Sequence, residues 1–173
     1  SSLADTLVSV DGFTLDLNNR CRGVMLKNTT ASVINRVRID HNLMTNTYRT
    51  IDPPIIAVYG SIYGIIDNNQ IIGGTVRIAG LDELSWSNFA YDFGTADNLY
   101  IEDNRFTLAD QMVIYSEQGS RWCFRYNSID ATACTNGMYP VFDAHGNQPG
   151  AHLANMGAEI YGNTIDTGTK GGA

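Results

Sequence analysis

The chain has 173 residues, 43% apolar and only 17% charged, which suits one domain with a continuous core or one piece of a longer protein. Eleven Lys and Arg against 18 Asp and Glu leave a formal net charge of −7, which argues against a phosphate-backbone binder, since that needs a basic face. No run of about 18 apolar residues occurs, so no membrane-spanning helix is expected, and without a charged-then-apolar leader any signal peptide is expected to be gone already.

Six segments repeat along the chain: Phe13–Asn18 (FTLDLN), Val37–Asn42 (VRIDHN), Gly64–Asn69 (GIIDNN), Leu99–Asn104 (LYIEDN), Trp122–Asn127 (WCFRYN) and Ala158–Asn163 (AEIYGN). Each carries an apolar residue three before its Asn, namely Leu15, Ile39, Ile66, Ile101, Phe124 and Ile160. Five carry another two after it, Met44, Ile71, Phe106, Ile129 and Ile165, whereas the first copy has Arg20 there. Alternation at period two predicts strands, and the Asn marks a corner because Asn tolerates the left-handed backbone region. A second strand signal often precedes each copy and closes on glycine, as in Ile56–Gly60, Val76–Gly80, Val113–Gly119 and Val141–Gly146.

The Asn residues are 24, 27, 35, 23 and 36 positions apart, with no helix-length apolar pattern between them. Such a period predicts an all-β solenoid of about six to seven coils, stacked about 4.8 Å apart, with an Asn ladder up one corner. The longer periods predict inserted loops near 81–97 and 147–157. The whole of 1–173 is expected as one solenoid domain or a fragment of a longer one.

These I-x-x-N-x-I repeats resemble those of right-handed parallel β-helix proteins of the pectate-lyase-like superfamily, over about residues 13–166. The stretch FDAHGNQ…GAEIYGNTID resembles a tail of environmental bacterial β-helix proteins of unassigned function. The resemblance implies a right-handed parallel β-helix and an extracellular carbohydrate-active protein that binds or cleaves a polysaccharide, as lyase or glycoside hydrolase. The same fold also builds phage tailspikes and adhesins, so a structural or adhesive solenoid is the alternative, with trimerisation or self-association supplying its caps.

If residues three and five before each Asn point in, those two and four before it point out. One outward column then reads Asp16, Asp40, Asp67, Glu102, Arg125, Tyr161, and the other Thr14, Arg38, Ile65, Tyr100, Cys123, Glu159. Carboxylates stacked about 5 Å apart repel unless compensated. Three readings follow: a solvated face neutralised by Arg38 and Arg125, a calcium site on Asp40, Asp67 and Glu102, or catalytic carboxylates at glycosidase spacing. In the catalytic reading Asp40, Asp67 and Glu102 do the chemistry, with Arg125 or His145 assisting. A polyuronate lyase would use Arg125 as base, but the characteristic lyase motifs are not found, and a net charge of −7 fits an anionic polymer poorly unless calcium bridges it.

Asp143 and His145 share a strand face, as a base and its partner or as ordinary strand-end residues. Arg105, Tyr100 and Tyr161 are expected to contact substrate. Trp86 and Tyr91, in the aromatic insertion, are expected either to stack on sugar or to pack the loop. Cys21, Cys123 and Cys134 show no zinc spacing; Cys123 and Cys134 are close enough in sequence for a local disulfide, and otherwise all three are buried thiols. Asn28-Thr-Thr30 is a formal glycosylation sequon.

Overall fold

The computed structural model describes residues 7–45, 54–82, 90–108, 112–134, 141–146 and 153–168. The alternating segments fold as short strands that repeat three to a coil. In chain order the first two coils hold β1 (Val8–Asp11), β2 (Thr14–Asp16), β3 (Val24–Lys27), then β4 (Ile34–Asp40), β5 (Leu43–Thr45), β6 (Ile56–Tyr59). The next two hold β7 (Ile62–Asp67), β8 (Gln70–Ile72), β9 (Val76–Ala79), then β10 (Leu99–Glu102), β11 (Arg105–Thr107), β12 (Ile114–Glu117). The last two hold β13 (Arg121–Arg125), β14 (Ser128–Asp130), β15 (Phe142–Ala144), then β16 (Gly157–Tyr161) and β17 (Thr164–Asp166).

Each strand pairs in parallel with its counterpart one coil away. Sheet A runs β1-β4-β7-β10-β13-β16, sheet B runs β2-β5-β8-β11-β14-β17, and sheet C runs β3-β6-β9-β12-β15. Three parallel sheets stacked in register make a parallel β-helix, as the repeat predicts. No helix among the described residues is long and apolar enough to cross a membrane.

The inward columns build the core. On sheet A, Val10, Ile39, Ile66, Ile101, Phe124 and Ile160 align; on sheet B, Leu15, Met44, Ile71, Phe106, Ile129 and Ile165. Ile39, Ile66, Ile101, Phe124, Met44, Ile71 and Phe106 are 0–1% exposed, each burial stabilising by about 1.5–3 kcal/mol. Phe124 also packs against Phe106 and Phe142 at 5.7 and 4.9 Å between centroids. In coil six the same inward positions, Ile160 and Ile165, are 47% and 44% exposed.

The first repeat copy is corrected. The strand in phase with Val37–Asp40 is Val8–Asp11, so Asp11, not Asp16, heads the acidic column. Asp16 ends a sheet B strand, and its Oδ1 accepts the Asn18 amide in a turn. The ladder therefore has five rungs, Asn42, Asn69, Asn104, Asn127 and Asn163, and Phe13 stands where a sixth would be.

The corner is corrected as well. The left-handed residue is the one before each ladder Asn: His41, Asn68, Asp103, Tyr126 and Gly162 have φ of 53, 53, 54, 58 and 67°. That residue turns the chain and points the following Asn inward. Asn42, Asn69, Asn104 and Asn127 are each 2% exposed there, so the carboxamide must be satisfied by its neighbours. Each rung from Asn42 to Asn127 donates both its backbone N–H and Nδ2–H to the Oδ1 of the next Asn, at 2.8–3.1 Å. Each Nδ2 also donates to a strand carbonyl of the preceding coil, as Asn104 does to Ile66 at 2.8 Å.

At the corner between sheets C and A, glycine is required once by close approach. Gly60 has φ +81°, and a Cβ there would lie 2.1 Å from the Asn28 carbonyl oxygen. All three cysteines are free thiols: Cys123 is buried, Cys134 half-buried and Cys21 exposed. This overturns both the local disulfide and the expectation of three buried thiols. The sequon Asn28 is buried, its Nδ2 donating to the Ser32 and Ser61 carbonyls, so its amide is not presented for modification.

Candidate functional site

Two outer walls carry the candidate residues. On sheet A, Asp11, Asp40, Asp67, Glu102, Arg125 and Tyr161 form one register-locked column, and Ser9, Arg38, Ile65, Tyr100, Cys123 and Glu159 the next. Parallel pairing puts each carboxylate one strand spacing from the next, so the column needs cations or donors. Arg38 supplies both oxygens of Asp67, Nε to Oδ1 at 3.1 Å and Nη2 to Oδ2 at 2.7 Å, and lies 3.5 Å from Asp40. The hydrogen bond to Asp67, then its charge, holds the Arg38 guanidinium above its usual range. His41 Nδ1 lies 2.7 Å from Asp40 Oδ2, and Asn68 Nδ2 donates to Asp67 Oδ2 at 2.8 Å.

One end of this wall is aromatic. Arg125 Nε donates to Glu102 Oε2 at 2.5 Å, and Nη1 donates to the Tyr161 hydroxyl at 3.0 Å. Its guanidinium lies 4.4 Å from the Tyr100 ring centroid and 5.7 Å from that of Tyr126. Burial works against the Arg125 charge, but the bonds to Tyr161 and Glu102 outweigh it and raise its pKa. Tyr126 and Tyr161 meet edge to face at 5.7 Å, 54% and 41% exposed. Burial pushes the Tyr100 phenol and the Cys123 thiol up.

The leading ends of β4, β7 and β10 shape a groove of about 470 Å³, bordered by Arg36, Arg38, Ile65, Tyr100, Ala96 and Asp97. It exists because β4 bulges between Ile34 and Val37, where Arg36 takes φ +61°. Gly64 lets β7 pass beneath that bulge: its φ is +155°, and a Cβ would lie 2.1 Å from the Val37 carbonyl oxygen. The far wall is the loop before β10, tied down by Tyr100, whose hydroxyl donates to the Thr95 carbonyl at 2.7 Å and accepts the Gly94 amide at 3.0 Å. Arg121, 2% exposed, anchors the same loop by donating to the carbonyls of Ala90 and Asp97.

On sheet C the outward residues include Arg77, Tyr115 and Asp143 in one column, with Tyr59 and Glu117 in the next. Glu117 is 3% exposed although it faces out. Its Oε1 accepts Arg77 Nε at 3.0 Å, and its Oε2 accepts the Tyr115 hydroxyl at 3.0 Å. The Arg77 guanidinium lies 5.8 and 5.4 Å from the rings of Tyr59 and Tyr115. Tyr115 meets His145 edge-on at 5.3 Å, and His145 Nε2 lies 4.0 Å from Asp143 Oδ2.

No family model, no curated protein and no solved structure matches this chain. The parallel β-helix therefore rests on its own register and ladder.

Of the sequence-predicted residues, Asp40, Asp67, Glu102, Arg125, Tyr100 and Tyr161 share one wall. Asp143 and His145 share another, and Arg105 faces out from sheet B. Among the described residues no three His, Cys, Asp or Glu side chains are placed to hold a metal ion, so Asp40, Asp67 and Glu102 form a column rather than a cage. Tyr91 stacks on Phe93 at 6.1 Å, packs on Gly157 and donates its hydroxyl to the Met156 carbonyl. It thus folds the inserted loop onto the coils. Trp86 lies outside the described residues. Missed were Arg77, Tyr115 and Glu117, and the whole groove. Period-two reading of Val76–Ala79 and Ile114–Glu117 places the first three outward, so that signal was present.

Proposed function

We propose that this chain is an extracellular carbohydrate-binding β-helix of the pectate-lyase-like type that grips a polysaccharide along the outer wall of sheet A. One observation carries the reading: the groove opens onto the columns in which Arg38, Tyr100, Arg125 and Tyr161 stand in register. Exposed Tyr126 and Tyr161 offer faces for sugar rings, and Arg–carboxylate pairs offer donors and acceptors for hydroxyl groups. Binding is favoured over cleavage because the acids are already engaged: both oxygens of Asp67 by Arg38, Asp40 by His41, Glu102 by Arg125. The same pairing compensates the column without a cation, so calcium is expected to leave the melting temperature unchanged. A net charge of −7 directs the reading to a neutral polymer.

The test is retention on a panel of immobilised plant, algal and bacterial polysaccharides, with and without calcium. At least one neutral polymer is expected to retain the protein, and Tyr161→Ala with Arg125→Gln is expected to release it without loss of fold. Retention unchanged in that variant, or none on any polymer, overturns the reading. Shortened chains in the supernatant would replace binding by catalysis.

A further inference from the structure

The groove on sheet A has a chemistry of its own. Its volume, about 470 Å³, falls within the range of small-ligand sites. Leu7, Ile65 and Ala96 line it with apolar surface. A bare hexose offers mostly hydroxyl groups, and such a lining would desolvate them without return. Two features of the bulge add polarity at one side. Arg36 and Arg38 border the groove, and the wall holds Asn35, whose Oδ1 is buried with no hydrogen-bond partner among the described residues. A buried, unsatisfied acceptor in a native fold calls for a donor.

The ligand fragment must therefore combine a small apolar group, an acceptor for a guanidinium and an N–H donor. An acetamido group has all three: its methyl, its carbonyl oxygen and its amide N–H. The geometry points to an N-acetylated hexosamine unit as the occupant, its methyl on Ile65 and Ala96, its carbonyl toward the Arg36 and Arg38 side, and its N–H meeting the Asn35 carboxamide as that side chain turns to it. The bulge, the left-handed backbone at Arg36 and the close pass that Gly64 allows are then the device that opens room for this group. The inference rests on the wall being a glycan-binding surface and specifies which sugar its head accepts.

Calorimetry with two neutral β-1,4 hexamers tests it, one of N-acetylglucosamine and one of glucose. The acetylated hexamer is expected to bind at least about tenfold tighter. Ala96→Trp, at an exposed position that fills the groove, and Asn35→Leu, which removes the acceptor, are expected to abolish that preference by weakening the acetylated hexamer about tenfold. Equal affinity for the two hexamers, or a preference that survives Ala96→Trp, overturns the groove assignment while leaving the wall reading intact. Acetylated hexamer bound equally well by Tyr161→Ala, yet lost in Ala96→Trp, supports the groove and removes the wall. No binding of either hexamer overturns the assignment.

Discussion

Two ladders climb this solenoid in the same register, one inside the corner after sheet A and one outside on its face. Inside, Asn stacks on Asn, and a carboxamide carries both donor and acceptor, so the column satisfies itself. Outside, carboxylate stacks on carboxylate, and an ionised carboxylate only accepts. That column persists because Arg38, Arg125, His41 and Asn68 are interleaved with it. Periodic stacking multiplies any side chain's self-interaction by the number of coils. Self-complementary groups can therefore repeat unaided, while charged ones need partners from the next column.

The largest expected effect breaks the inner ladder. Asn104→Ala removes the Oδ1 that accepts the backbone and Nδ2 hydrogens of Asn69 and the Nδ2 that donates to the Ile66 carbonyl, costing roughly 3–4 kcal/mol in urea unfolding. Asn104→Asp sharpens the contrast, because it makes one inner rung acceptor-only. The buried carboxyl, facing the Ile66 and Glu102 carbonyls, takes a raised pKa. The destabilisation of this variant is then full above that folded pKa and lessens as pH falls toward the unfolded value, which paired urea curves at two pH values would detect.

Outer-ladder changes rank lower. Arg125→Gln leaves Glu102 without its charged donor and is expected to cost about 2 kcal/mol by the same measurement. Removing Arg38, whose side chain is 45% exposed, is expected to cost about 1 kcal/mol or less, and added salt should shrink the difference. The smallest effect belongs to Asp130, a half-buried acid held by its own turn. Thr132 Oγ1 and its backbone N–H donate to Oδ1, and these bonds, side chain first, hold its pKa below the usual 3.8. Its contribution is present above the unfolded pKa and lost as pH falls through the depressed folded one. Carboxyl NMR should place its midpoint below 3.8 in the wild type and return it toward that value in Thr132→Ala.

The solenoid was legible because apolar alternation and Asn recur at one phase in copies two to six, and stacking needs nothing else. Copy one misled because Leu15, Asp16 and Asn18 imitate the pattern locally, whereas only pairing distance reveals that Val8–Asp11 lies against Val37–Asp40. The repeat pattern puts the left-handed corner on the Asn, one residue later than the fold has it. A preference of Asn for that region is local, but the need to bury a self-pairing carboxamide is a property of the stack. Arg38 and Arg125 were readable as neutralising neighbours since columns follow from period two. The groove was not, because a bulge at Asn35–Arg36 and the close pass of Gly64 depend on backbone geometry that alternation does not encode.

The inner ladder also has a direction. From Asn42 to Asn127 each rung donates to the Oδ1 of the following coil, and every rung's Oδ1 accepts from the preceding one, so the carboxamide dipoles point the same way along the solenoid axis. Aligned dipoles in a water-free column polarise one another and add, much as peptide dipoles do in a helix. The molecule thus carries a fixed axial polarity beneath the corner of sheets A and B. Its positive pole lies at the Asn163 donors, and its negative pole at the Asn42 oxygen that accepts the Phe13 amide.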